Sequence, residues 1–182
     1  MRSKSLTPLS RRATISRVTS RAARNGSLGS PRPGIVLDDV SKAIIEELQL
    51  DGRRSYAAIG KVVGLSEAAV RQRVQRLVDS GVMQVVAVTD PMELGFARQA
   101  MIGIRTTGSL EPIADAVAAL DEVDYVVITA GSYDLLIEVV CESDEALLEV
   151  LSSKIRTIEN VVSTETFVYL QLRKQTYSWG VR

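Results

Sequence analysis

Residues 64–82 read GLSEAAVRQRVQRLVDSGV. Ser66 stands where a helix cap belongs, Ser80-Gly81 where a helix stops, and Val70, Val74, Leu77 and Val78 recur at the helical period of about 100° per residue. On the opposite side fall Ala68, Ala69, Gln72, Gln75 and Arg76, with Arg71 and Arg73 at the two borders. Small alanines in the first turn, next to Ser66 and Glu67, allow close approach to the floor of a major groove. Gln pairs bidentately with adenine and Arg with guanine, while border arginines suit the phosphates on either wall. Taken alone, the same face is equally a solvated surface, because Arg and Gln are good helix formers. The neighbouring sequence has to decide.

Upstream, Asp38 or Asp39 can cap a helix carrying Val40, Ile44, Ile45 and Leu48, which stops at Asp51-Gly52. Ser55 can cap a second helix with Ala58, Ile59, Val62 and Val63 on one side, ending at Gly64. Three short helices with a glycine turn between the second and third predict a helix-turn-helix over residues 37–82, with the quoted stretch as its reading helix. Arg53 and Arg54, in the turn after the first helix, and Lys61 are placed to add phosphate contacts.

Downstream the period changes. MQVVAV (83–88) is strand-like and leads through TDPMELGF, so residues 83–96 read as a linker strand and loop. Then AMIGIR, YVVITA, LLIEVVC and VVSTETFVYLQL read as strands, and SLEPIADAVAALD and SDEALLEVLSSKIRTI as helices capped by Ser109 and by Ser143 or Asp144. The order β-α-β-β-α-β over 97–182 predicts a ferredoxin-like module, an antiparallel four-stranded sheet with both helices on one face. The fold class is therefore α+β, a helix-turn-helix followed by this module. Met83, Met92 and Met101 read as core.

Charge is distributed unevenly. Residues 1–36 hold eight Lys/Arg (Arg2, Lys4, Arg11, Arg12, Arg17, Arg21, Arg24 and Arg32) and no acid. Residues 37–82 hold seven of each sign, and residues 83–182 hold seven basic and fifteen acidic side chains. A polyanion-facing front and a different back follow from that gradient. The leader is rich in Ser, Arg, Gly and Pro without an apolar period, so a disordered basic arm is expected. It reads as a leader without dedicated function, a transit-like segment, or a nonspecific DNA-contacting arm. Histidine is absent and Cys141 is the only cysteine, which removes His/Cys zinc sites, Ser-His and Cys-His catalytic pairs and an internal disulfide. No metal, cofactor or catalytic residue is expected, and no apolar run reaches transmembrane length. A reducing cytoplasm is the expected location.

The residues LDDVSKAIIEELQLDGRRSYAAIGKVVGLSEAAVRQRVQRLVDSGVMQVVAVTDPMELGF, followed by AGSYDLLIEVV and STETFVYL, closely resemble the Lrp/AsnC (feast/famine) regulators of bacteria and archaea over about residues 37–176. The resemblance implies a winged-type helix-turn-helix, double-stranded DNA bound by paired reading helices, and a homodimer built through the sheets, often assembled into octamers. It also implies an amino acid or similar small effector held between subunits. Ile128, Thr129, Ala130, Gly131, Ser132, Tyr133 and Asp134 align with the effector loop, and Phe167 and Val168 with apolar positions bordering it. Gly131 lets backbone approach a ligand, free N–H groups there can take an α-carboxylate, and Asp134 can pair with an α-ammonium. Asp134 can equally bond its own backbone at the start of a strand. The expected function is a DNA-binding transcriptional regulator modulated by that effector. Two alternatives remain at this point. One is a DNA-architectural protein without an effector; the other is an enzyme on the same framework, similar to haem-pathway decarboxylases, for which a chain lacking histidine is a poor candidate.

Overall fold

The computed structural model describes residues 37–182, and the expectation for the basic leader lies outside the described residues. The chain divides into two compact units, with the boundary between Ala87 and Val88 and with residues 176–182 grouped with the first. That boundary falls inside the expected linker.

The first unit is built from α1 (Asp39–Leu50), α2 (Tyr56–Val63) and α3 (Glu67–Asp79). Each begins at a side-chain cap that supplies an acceptor to an otherwise unpaired backbone N–H. Asp38 Oδ1 accepts from Ser41 N at 2.8 Å, Ser55 Oγ from Ala58 N at 3.2 Å and Ser66 Oγ from Ala69 N at 3.3 Å. Gly64 ends α2 in the left-handed region (φ 72°), and the following Leu65 N–H donates to Gly60 O at 2.9 Å. Gly60 is required by that turn, because a Cβ there would collide with the Leu65 carbonyl oxygen. Ile44, Leu48, Ile59, Val70 and Val74 form the core, edged by Val40, Val63, Val78 and Met83. Val62, expected on the buried side, is 56% exposed; on so short a helix the contact stripe is narrow and Ile59 and Val63 fill it.

The second unit contains β1 (Arg98–Thr106), α4 (Glu111–Ala118), β2 (Val123–Ile128), β3 (Leu135–Cys141), α5 (Asp144–Glu149) and β4 (Val161–Val168). Helix α5 continues as a π-helical turn over Val150–Ile155. The sheet order is β2-β3-β1-β4 with every pair antiparallel, as the ferredoxin-like reading requires. Ala100, Ile102 and Ile104 of β1 and Leu135, Ile137, Val139 and Cys141 of β3 pack against Ile113, Val117, Leu147, Val150 and Ile155 from the helical layer. Strand alternation sends Met101, Gly103 and Arg105 to the other face, in register with Glu138 and Leu136 of β3 and with Phe167, Glu165 and Ser163 of β4. Among the described residues of this unit no helix covers that face, and Phe167 on it is exposed.

Four local expectations change. Residues 83–88 form no strand, and Val85, Val86 and Val88 are exposed; an alternating pattern yields a strand only where another backbone edge supplies its hydrogen bonds. Helix α4 starts one residue later than Ser109 would allow. Leu110 stands at the cap without a side-chain bond, and the Ser109 hydroxyl donates instead to Glu111 Oε2 at 2.9 Å. Met92 sits in a short 3₁₀ turn (Met92–Leu94) and is half exposed rather than core. Ordered pairing of the last strand ends near Tyr169, whose N–H donates to Gln99 O at 2.9 Å, short of the expected Leu172.

Candidate functional site

The reading helix presents Gln72, Gln75, Arg76, Ser66, Glu67 and Ala68 outward, while Ala69 is half buried. Its polar side chains differ in whether and how they are partnered, and this separates their roles. Arg71 donates to Glu67 Oε1 at 2.7 Å, one turn back, and its guanidinium stands 5.2 Å from the Tyr56 ring centroid. An exposed i,i+4 ion pair contributes only about 0.3–0.5 kcal/mol, so exchanging Glu67 for a phosphate costs little. Gln75 Nε2 donates to Asp79 Oδ1 at 2.7 Å, and Arg76 Nε makes a long bond to Gln72 O at 3.4 Å. The Gln72 side chain has no hydrogen bond among the described residues.

Arg73 is placed differently. Its Nη1 donates to Asp38 Oδ2 at 2.7 Å and Oδ1 at 3.0 Å, and to Ser41 Oγ at 3.1 Å, so it ties α3 to the cap of α1. The Ser41 hydrogen bonds, followed by the Arg73 bond, hold the Asp38 carboxyl down at about 2, which keeps the pair ionised at neutral pH. Arg54 is likewise paired with Glu47, whereas the Arg53 side chain is exposed and only its backbone N–H is engaged, with Asp51 Oδ1 at 2.9 Å. Nothing local in the sequence marks Arg73 as a strut, since its partner lies 35 residues away. A groove lined by Leu37, Asp38, Ser41, Arg73, Arg76, Leu77, Asp79 and Ser80 lies wholly within this helical unit.

In the second unit, residues 129–134 form the tight connection between β2 and β3, folded against the end of β1. Thr129 N–H donates to Asp134 O at 2.9 Å, and Asp134 N–H to Ile104 O at 2.9 Å. Thr129 Oγ1 donates to Tyr133 O at 2.5 Å. The Asp134 carboxylate accepts through Oδ2 from Thr106 N at 2.7 Å and Thr106 Oγ1 at 3.3 Å, which anchors the loop to the sheet. Its second oxygen makes no hydrogen bond among the described residues. Ala130, Gly131 and Ser132 are exposed, and Gly131 has open space around its Cα.

Tyr133 turns onto the helix-free face. Its ring covers Gly103 so closely that a Cβ there would lie 2.6–2.8 Å from three ring carbons. Phe167 meets the ring edge-on, at 6.2 Å between centroids and 77° between planes. Arg105 lies 5.3 Å from the ring centroid and its Nε donates to Ser132 O at 2.9 Å. Arg105 was not among the expected site residues; its only sequence signal is its outward position in the β1 alternation. Tyr133 and Phe167 are thus brought together. Ile128 and Val168 are not: they lie on the two edge strands, three strand spacings or about 14 Å apart.

A basic reading helix in a three-helix unit, followed by a ferredoxin-like module with an anchored loop on its open face, defines a two-domain DNA-binding regulator. Residues 37–78 match the AsnC-type helix-turn-helix domain and residues 99–179 the Lrp/AsnC ligand-binding domain. The transcriptional regulator FL11 of Pyrococcus furiosus is 34% identical over 149 residues, covering 81% of this chain and 98% of FL11. The regulatory protein AsnC of Escherichia coli is 34% identical over 139 residues, covering 75% of this chain and 91% of AsnC. The solved AsnC structure superposes with a TM-score of 0.65 at 32% identity, over 78% of this chain and 97% of that one. A Neisseria meningitidis regulator solved as a complex with L-Met shares the fold, with a TM-score of 0.68 at 23% identity over 79% and 96% of the two chains. The chain belongs to the Lrp/AsnC family of transcriptional regulators. The relatives are named as regulators, and the ligand-binding match disfavours an effector-independent architectural protein.

Proposed function

We propose that this regulator binds operator DNA as a homodimer, which can assemble further toward an octamer, and that an amino acid or similar small molecule shifts its binding or assembly in the cytoplasm without any catalytic step. The observation that carries the reading is the division between units: an outward basic helix in one, and in the other a sheet face where Tyr133 and Phe167 stand beside charged side chains, bearing a loop fixed by Asp134. We assign base-edge contacts to Gln72, Gln75 and Arg76, close approach to Ser66, Glu67, Ala68 and Ala69, and phosphate contacts to Arg53, Arg54 and Arg71. Arg73, bonded to Asp38, acts on this reading mainly by orienting α3. The basic leader adds a sequence-independent attraction to DNA, supported by its eight basic residues and absence of acids.

The effector reading rests on the loop. Residues Thr129 to Asp134 form one wall of the effector site, with Phe167 on the far strand of the same face; Ile128 and Val168, in register with Leu135 and Ala100, point to the other face and would only border the site from the two sheet edges. The 14 Å between the two edges leaves the site open in a single chain, and a second copy facing the exposed Phe167 side would close it. An effector that fills such a shared site changes the relative stability of assembly states, and with it the spacing of reading helices against successive major grooves.

Fluorescence titration of promoter DNA over a salt series tests the DNA half. The double variant Arg71→Ala/Arg76→Ala should bind at least tenfold more weakly, with the log–log salt slope shallower by roughly 0.9 for each phosphate left unneutralised. Unchanged affinity and slope would remove α3 as the reading element.

A further inference from the structure

We infer that Glu67 is an intramolecular stand-in for DNA phosphate on Arg71, and that Tyr56 of α2 positions the guanidinium, so that this contact is pre-oriented and attenuated at once. This rests on the proposed phosphate contact of Arg71 and adds two residues that set its strength. Arg71 Nη2 donates to Glu67 Oε1 at 2.7 Å, while the guanidinium lies 5.2 Å from the Tyr56 ring centroid. No other hydrogen bond or ion pair engages the Arg71 side chain among the described residues, so the rest of its donor edge is open. Tyr56 is the first residue of α2 and packs against the core of the helical unit, so the ring beside the guanidinium is fixed from a second element.

The other arginine pairs of this unit are built differently. Arg54 and Glu47 are 35% and 15% exposed, and Arg73, bonded to both Asp38 and Ser41, is 27% exposed; each links separate elements. Arg71 and Glu67 are 64% and 53% exposed and lie one turn apart on a single helix, so their pair adds little to the tertiary structure. What it does is hold an anionic oxygen against the guanidinium at the border of the reading face. Glu67 is the first residue of α3, the end of a reading helix that approaches the duplex. A phosphate oxygen arriving from the groove wall meets the same N–H donors, and two anions on one guanidinium repel each other. Removing the Glu67 charge should therefore strengthen binding to DNA of any sequence, because phosphate contacts carry no base information. Loss of a favourable acid from a helix start would act in the opposite direction.

Fluorescence titration of a labelled random-sequence duplex with the full chain, over a salt series, tests this as two double-mutant cycles. Glu67→Gln should bind about two- to fivefold more tightly than wild type at low salt, the range of an exposed ion pair. Its log–log salt dependence should be steeper, because Arg71 then meets the phosphate as a full charge. In an Arg71→Ala background the same substitution should give no gain. Tyr56→Leu should bind about two- to fivefold more weakly, the range of an exposed cation–π contact. Tyr56→Phe, which keeps the ring, should recover most of that loss, and Tyr56→Leu should cost nothing further once Arg71 is replaced by Ala. If Arg71→Ala alone leaves affinity and salt slope unchanged, the phosphate contact itself fails and this inference with it. If Arg71→Ala weakens binding but Glu67→Gln does not tighten it, or tightens it equally without Arg71, only the present inference is overturned. The positioning role of Tyr56 is overturned if Tyr56→Leu weakens binding equally with and without Arg71, the pattern of a lost core contact.

Discussion

Gly103→Ala is a small change whose sign depends on one neighbour. In an open strand, Ala is favoured over Gly by roughly 0.5–1 kcal/mol, because Gly loses more backbone freedom on folding. At position 103 the new Cβ would stand 2.6 Å from Tyr133 Cγ and 2.7 and 2.8 Å from its two Cδ atoms, against an ordinary carbon–carbon contact of about 3.5–4.0 Å. Rotation about χ2 gives no relief, because Cγ lies on that axis. The ring has to swing about χ1 or the loop has to shift, giving up the Phe167 edge packing and the Arg105 stacking. Overpacking of this kind costs about 1–3 kcal/mol. The overlap therefore outweighs the backbone gain, and Gly103→Ala should be destabilising by about 0.5–2 kcal/mol. In a Tyr133→Ala background the obstacle is gone, and the same substitution should stabilise by about 0.5–1 kcal/mol. Urea unfolding of the wild type, the two single variants and the double variant measures this as a cycle. A coupling near zero, or Gly103→Ala equally harmful with and without the Tyr133 ring, would refute the packing described for this face.

Two other consequences follow from the helical unit. Gly60→Ala should lower its thermal midpoint by several degrees despite the better helix propensity of Ala, because the Cβ meets the Leu65 carbonyl oxygen, a backbone atom that cannot move without opening the turn before α3. The Asp38 carboxyl is held at about 2, below its ordinary value of 3.8, so its stabilising contribution is fully present above about pH 4 and is lost as pH falls through about 2. An acid titration followed by circular dichroism should show a shallower loss between pH 4 and 2 in Asp38→Asn; an identical profile would mean that the Arg73–Asp38 link does not couple α1 to α3.

Most of the helical unit was legible because its signals are local. Asp38, Ser55 and Ser66 cap helices through bonds three residues away, Gly64 supplies a left-handed stop, and the Val70, Val74 and Leu77 stripe repeats within one helix. The ferredoxin-like order was legible for the same reason, from strand and helix periods alternating along the chain. Ser109 misled because a cap depends on where the first turn closes, and with Pro112 near the start that turn closes one residue later. Met83–Val88 misled because alternation describes a face and says nothing about a partner edge.

The candidate site divides along the same line. The sequence alone determines the outward set on α3, which follows from spacing within one element, whereas the loop from Thr129 to Asp134 was singled out by the family resemblance and not by any period. Tertiary structure decides what those residues are free to do. Arg73 is drawn to Asp38 across 35 residues and becomes a brace. The Asp134 carboxylate is drawn to Thr106 and anchors the loop. Tyr133 falls onto a strand position where only glycine leaves room, and that brings Arg105 and Phe167 to one ring. The physical reason is range: caps and helical stripes are set by neighbours a few residues away, whereas a side chain's hydrogen-bond partner is set by whichever backbone the fold lays beside it.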